Sequence, residues 1–358
     1  MSHSPFRHIG SVFYKQHIIQ LTYFLTGRCN ASCPFCFYRS DNDRRNRGHE
    51  LSLNEIKKIS GSMGELLWLA FSGGEIFLRT DIVDIAKIFY ENNKPSIILL
   101  PTNGLLTDVI RINIEKILKH CSRSTITVKL SLEGMEDTHD RIRGKGSFRK
   151  TMETYESLKV LLDVYPNFEL GVNTVFCSVN QDRMDALISF VSGLNGIKTH
   201  TVSLIRGDVQ DNGLKRVDMG KYRSTVELLA SNLKNKKSSM YRFRGARLKA
   251  AQDIVQRNII YDTVSRNTQQ IPCYAGKLNI VLTESGDVYP CESFDMKLGN
   301  VRDCGYDMDT VIRSEEAEKV INAIRKDRCY CTHECYLMTN ILFNPSMYPR
   351  LIREYLQL

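Results

Sequence analysis

The chain has 358 residues, 49 basic against 40 acidic, a formal net charge of +9 and 42% hydrophobic content. That length allows two domains, and that apolar content supports a sizeable core and excludes a disordered chain. Eleven cysteines, an odd number, with no N-terminal signal sequence and no apolar stretch of membrane-spanning length, exclude a disulfide framework and a spanning helix; the expectation is metal ligation in a reducing cytoplasm.

A short polar segment, residues 1–17, precedes an apolar β-rich run at 18–25 that reads as the first strand. It leads into Thr26-Gly27-Arg28-Cys29-Asn30-Ala31-Ser32-Cys33-Pro34-Phe35-Cys36, a C-x3-C-x2-C loop. Soft thiolates select iron–sulfur clusters or zinc, and a structural zinc site wants four closed protein ligands. Three cysteines with no His or fourth Cys close by fit a [4Fe-4S] cluster with one iron open to an outside ligand. The basic run Asp43-Arg44-Arg45-Asn46-Arg47 just beyond reads either as a solvated face or as an attraction for an acidic substrate; Lys234-Asn235-Lys236-Lys237 reads as solvated.

Further strands are expected at 66–71, 97–100, 125–132, 170–176 and 199–205, alternating with helical stretches that include 53–63, 81–90 and 108–119. Repeated strand–helix alternation predicts a parallel sheet with helices on its outer face, and in such sheets ligands collect beyond the carboxyl ends of the strands. Those ends carry Ser72-Gly73-Gly74-Glu75, Thr102-Asn103-Gly104, Ser131-Leu132-Glu133-Gly134 with His139-Asp140-Arg141-Ile142-Arg143-Gly144 and Ser147-Phe148 after it, and Asn173. Cys121 and Cys177 lie on apolar patterns and read as small core residues.

Taken in this order, the cysteine loop with its aromatic Phe35, the GGE, the TNG, an SLDG in which Glu133 replaces the usual Asp, and the HDxxRG…SF segment resemble the radical S-adenosylmethionine (SAM) enzymes. The resemblance implies an α/β fold built on a partial (β/α)6 barrel. Cys29, Cys33 and Cys36 would hold the radical cluster. Phe35, Gly73, Gly74, Glu75, Asn103, Ser131, Glu133, Arg143 and Asn173 would be SAM-binding, the Glu accepting a hydrogen bond from the SAM amino group and the Arg lying near its carboxylate. The open iron would bind SAM, and reductive cleavage would give a 5'-deoxyadenosyl radical that abstracts a substrate hydrogen.

After a polar, mainly helical stretch at 208–270 comes a second cysteine group. A hairpin with its turn at Glu284-Ser285-Gly286-Asp287 returns Cys291 toward Cys273, and Cys329, Cys331 and Cys335 follow, with Cys304 an outlier. This resembles the SPASM and twitch extensions, small iron–sulfur domains with a β-hairpin and helices. Five or six thiols cannot fully ligate two clusters. The economical set is one auxiliary [4Fe-4S] cluster on Cys273, Cys291 and two of the last three; zinc with His333 as a partner is the alternative. The expected division is an N-terminal extension 1–17, a radical SAM core 18–207, a helical linker 208–270 and an auxiliary domain with its tail 271–358. Residues 340–358 are expected to pack over the barrel or the auxiliary cluster, or to bind a partner.

The resemblance implies oxidative modification of a ribosomal peptide by cross-linking, epimerisation or dehydrogenation, with a flavodoxin- or ferredoxin-type electron donor and room for a separate peptide-recognition protein. The alternatives are a dehydrogenase or epimerase of a small polar metabolite and a non-catalytic iron–sulfur carrier or scaffold. A carrier has no need of the SAM-side residues. Neither a catalytic base nor a nucleic-acid or membrane partner is read from the sequence.

Overall fold

The computed structural model describes residues 2–38 and 49–358, and the basic run at 43–47 lies outside them. An N-terminal 3-10 helix, Pro5–Val12, leads to β1 (Gln20–Thr26). Then follow α1 (Leu53–Gly61), β2 (Trp68–Gly73), α2 (Ile82–Asn93), β3 (Ile97–Thr102), α3 (Thr107–His120) and β4 (Thr125–Ser131). The short helices α4 (Glu136–Arg143), α5 (Ser147–Lys159) and α6 (Leu161–Val164) precede β5 (Phe168–Phe176), α7 (Met184–Gly193) and β6 (Ile197–Leu204). The linker region forms α8 (Met219–Lys234) and α9 (Ala246–Arg266). The last part holds β7 (Asn279–Leu282), β8 (Asp287–Tyr289), β9 (Gly299–Asn300), α10 (Met308–Ile312), α11 (Glu315–Lys326), α12 (Glu334–Leu342) and α13 (Tyr348–Gln357).

Strands β1 to β6 are parallel neighbours in chain order, as the alternation predicts. Side chains alternate across each strand. On one face Leu21, Tyr23 and Leu25 of β1 and Ile126, Val128 and Leu130 of β4 join the main apolar core with the helices. The other set, including Gln20, Thr22, Thr127, Lys129 and Ser131, faces the concave side. Polar residues buried there mark that side as the one built for a ligand rather than for packing.

The sheet does not stop at six strands. β7 pairs in parallel with β1, Gln20 opposite Asn279 through Tyr23 opposite Leu282, and β8 and β9 continue antiparallel from β7. The expected hairpin is there, and its first strand is hydrogen-bonded to the strand that carries the first cysteine loop. The C-terminal helix α13 packs on α9, with Tyr348 reaching the small cluster of Val12, Ile19 and Leu278.

Arg79 ties the end of β1 to the chain around it. Its guanidinium donates to Leu25 O at 3.3 Å and Leu51 O at 3.0 Å and pairs with Asp81 at 2.8 Å and Glu50 at 3.4 Å. Removing this buried charge leaves Asp81 without its ion-pair partner and Glu50 with Arg28 alone, so Arg79→Met is expected to lower unfolding stability by about 3 kcal/mol, read from urea denaturation.

Candidate active site

The cysteine loop leaves β1 and is seated by the turn after β2. Gly74 N–H donates to Thr26 O at 2.7 Å and Glu75 N–H to Arg28 O at 2.9 Å. The two chains approach so closely that a Cβ on Gly73 would meet Thr26 O at 2.4 Å and one on Gly74 would meet Arg28 O at 2.0 Å; Gly73 also has φ +113°. These glycines therefore make room for the cysteine loop itself. The Glu75 carboxylate is buried and accepts from Thr102 Oγ1 at 2.9 Å, Asn103 N–H at 2.8 Å and Phe77 N–H at 3.3 Å. Burial pushes its pKa to about 7 in spite of those donors. Glu75 thus locks the β2 turn to the β3 turn, and Asn103 in turn reaches Asn30 Oδ1 at 2.7 Å and lies 3.9 Å from Cys29 Sγ.

On the other side of the loop stands Arg143, which donates to Glu133 Oε1 through Nε at 2.9 Å and Nη2 at 2.6 Å. The second Glu133 oxygen accepts Val175 N–H at 2.7 Å. The longer Glu spans from the β4 end to β5 while still holding the arginine. His139 Nδ1 accepts Glu133 N–H at 3.1 Å, and Asp140 accepts Phe148 N–H at 2.8 Å and Ser147 Oγ at 3.1 Å, so the HDxxRG…SF residues act together to place Arg143. Burial opposes the charge of Arg143, but Cys33 and Glu133 beside it raise its pKa overall. Its guanidinium lies 5.6 Å from the centre of the Phe35 ring.

Ser131 and Asn173 are register partners, and Asn173 is in turn opposite Thr201. Two residues earlier on the same face, Lys129 crosses over Gly171, where a Cβ would meet its Nζ at 2.8 Å, to donate to Thr199 and, at 3.1 Å, to Thr201. Burial, with Lys249 and Arg257 nearby, holds the Lys129 pKa down at about 7, against Asp253 and Glu334. Ser203 donates to Glu334, and Arg206 pairs with Glu292 while its guanidinium lies 4.9 Å from the Phe37 ring centre. Lys129, Arg206, Glu292 and Glu334 were not singled out in the sequence. Period-two spacing from Ser131 could have found Lys129, whereas the other three come from remote segments.

The fit to iron–sulfur ligation rests on donor chemistry. None of the eleven cysteines is paired in a disulfide. Burial raises the pKa of Cys29 and Cys33, and Ala31 N–H, which donates to Cys29 Sγ at 3.4 Å, and the Arg143 charge near Cys33 oppose that rise in part. In the second group burial comes first in pushing Cys273 up to about 11 and Cys331 to about 12, and the charges of Cys291 and Cys329 add to both rises. Buried thiols of this kind ionise when a metal centre supplies the balancing charge. Cys335 is placed differently. It lies in the first turn of α12 among Glu292, Arg206 and Glu334, in an aromatic cluster of Phe24, Tyr38 and Tyr336 that also takes in Cys36 and Cys291. His333 turns its ring to Tyr336, 5.9 Å away, and to Arg206. Among the described residues no three His, Cys, Asp or Glu side chains are gathered for a single ion. Cys121 and Cys177 are fully buried, as expected.

Thiols beyond the strand end of a parallel sheet, and a second thiol group around the hairpin that extends that sheet, suit an iron–sulfur enzyme of the SAM-dependent class. Residues 23–191 match the radical SAM superfamily model and residues 273–336 match the iron–sulfur cluster-binding domain named SPASM. The chain belongs to the radical SAM superfamily and carries a SPASM domain, so its cofactors are a [4Fe-4S] cluster, SAM and an auxiliary iron–sulfur cluster. It is 29% identical over 168 residues to the PqqA peptide cyclase of Bradyrhizobium diazoefficiens, a match covering 46% of this chain and 40% of that one. It is 25% identical to the subtilosin biosynthesis protein AlbA of Bacillus subtilis over 89% of this chain and 67% of AlbA. The solved structure of anSMEcpe with bound AdoMet and the Kp18Cys peptide shares the fold, with a TM-score of 0.63 at 17% identity, covering 95% of this chain and 99% of that one.

Gly74→Ala would unseat the cysteine loop. Anaerobically reconstituted protein is expected to lose the radical cluster, about four of about eight irons, while its circular dichroism stays close to wild type. Cys331→Ala is expected to lose the auxiliary cluster, about four irons, whereas Cys335→Ala keeps it, both read by iron and sulfide content.

Proposed function

We propose that this enzyme modifies a ribosomally made peptide through hydrogen abstraction, by cross-linking, epimerisation or dehydrogenation. The observation that carries the reading is the second thiol group, whose Cys273 and Cys291 flank the β7–β8 hairpin that is hydrogen-bonded to the radical-cluster strand: it would supply a second redox centre near the concave cavity. The likeness to AlbA across most of the chain, and to a peptide cyclase across just under half of it, supports a peptide as the substrate.

When bound, the clusters and SAM supply reductive cleavage of the SAM sulfonium, hydrogen abstraction and a sink for the substrate's electron. The chain's own residues supply placement. Asn103, Ser131, Asn173 and the Glu133-held Arg143 are the SAM-side groups, with Phe35 under the guanidinium. Gly73, Gly74 and Glu75 act through the loop they seat. Cys29, Cys33 and Cys36 ligate the radical cluster; Cys273, Cys291, Cys329 and Cys331 ligate the auxiliary one. Lys129, held near neutrality on the concave face, can exchange a proton there. The division into core, linker and auxiliary domain at 18–207, 208–270 and 271–358 belongs to this reading, as do a flavodoxin- or ferredoxin-type donor, a separate peptide-recognition protein and a cytoplasmic setting. No helix among the described residues is long and apolar enough to cross a membrane.

The test compares wild type with the Cys29/Cys33/Cys36→Ala variant, reconstituted anaerobically and given the short peptide encoded nearest its gene. Wild type is expected to release 5'-deoxyadenosine and to change the peptide, by loss of a hydrogen pair or by deuterium uptake from heavy water; the variant should do neither. 5'-Deoxyadenosine with an unaltered peptide, and turnover instead of a small polar metabolite, would overturn the peptide reading and leave the radical chemistry standing.

A further inference from the structure

At the amino ends of β2 and β3, opposite the cysteine loop, lies an apolar groove of about 360 Å³. Its floor is Leu67, Trp68 and Ile97, and its walls are the Pro5–Val12 helix, the start of α9, and α13. Tyr348, Leu351, Ile352 and Tyr355 of α13, at helical spacing, line one wall. The groove's rim leaves large apolar side chains in water: Ile9 is 66% exposed and Ile352 58%, and on the same two elements Phe13 is 76% exposed and Leu356 72%. A contiguous patch of this kind marks an interaction site rather than a scatter of surface residues. Trp68 lies in the floor with its indole N–H buried and without a partner among the described residues.

Charge identifies the occupant. Among the described residues Arg244, Arg247, Arg350 and Arg353 have no carboxylate within ion-pair distance. Glu354, the only acid in segments 5–15, 241–249 and 348–358, already pairs with Lys234 at 2.7 Å. Arg244 and Arg247 hold the rim together, one lying 5.4 Å from the Phe6 ring centre and the other 4.5 Å from that of Tyr355. A second copy of this chain would set basic rim against basic rim. The concavity suits a helix inserting its apolar side, and a flat bilayer would not reach its floor.

We propose that this groove docks an amphipathic α-helix with an acidic polar face, belonging to a partner polypeptide. The proposal goes beyond the peptide-modification reading, and its test measures binding alone. Trp68 is the chain's only tryptophan, so its emission reports on the groove floor. Reconstituted full-length protein is titrated with a synthetic tryptophan-free amphipathic helix carrying glutamates on its polar face. Saturable change of Trp68 emission is expected, with at least about ten-fold weaker binding of the same helix carrying lysines and weakening at high salt. The Phe6→Glu/Ile352→Glu variant, altered only at exposed positions, is expected to lose binding while circular dichroism and Tm stay as in wild type; a Lys150→Gln control, on the exposed face of α5, should still bind. Equal affinity for acidic and basic helices, or unchanged binding by the double variant, would overturn the proposal. So would a concentration-dependent dimer abolished by Ile352→Glu, which assigns the groove to a second copy. An emission change with phosphatidylcholine/phosphatidylserine vesicles and none with the helix would assign it to a membrane.

Discussion

Two main-chain hydrogen bonds, Gly74 N–H to Thr26 O and Glu75 N–H to Arg28 O, hold the cysteine loop against the turn that follows β2. They form only because neither Gly73 nor Gly74 has a side chain to keep the strands apart. From that contact the site is built outward. Glu75 carries the constraint to the β3 turn through Thr102 and Asn103, and Asn103 returns to the loop at Asn30. The sulfurs are thus positioned by rigid backbone at strand ends, and a loop free to move would not keep them within ligating distance of one cluster.

A second constraint comes from β1, which is flanked by parallel neighbours on both sides. The SPASM region is attached to the barrel by main-chain hydrogen bonds as well as by side-chain packing. Arg206 at the end of β6, Glu292 after β8 and Glu334 at the start of α12 then meet across the concave side. Burial raises the pKa of Glu334, and its Ser203 hydrogen bond and the Arg206 charge oppose that rise. The wall of the cavity is a joint product of both cysteine-bearing regions.

Much of this was legible in the sequence because it depends on local pattern. Alternation of apolar residues gave the six strands, and cysteine spacing with the strand-end motifs gave the cofactors. The glycines of the GGE stretch were legible as positions of close approach, though not that the approaching group is the cysteine loop. Their partner lies more than forty residues earlier, and spacing does not say which carbonyl comes near. The pairing of β1 with β7 was not legible either, since no local signal joins residues 20–23 to 279–282. Cys329, Cys331 and Cys335 looked interchangeable by spacing. Only the start of α12 at Glu334 separates them, carrying Cys335 into the first turn of a helix while Cys329 and Cys331 stay in the segment before it.

The double pairing of β1 also bears on the order in which the protein is made. While the chain grows from its N-terminus, β1 can bond to β2 early, but its other edge has no partner until residues 279–282 have been synthesised. An unpaired edge beside an apolar strand is a site for wrong pairing, and contacts this distant in sequence form slowly. A chain cut before β7 would leave the strand that carries the first cysteine loop with one open edge.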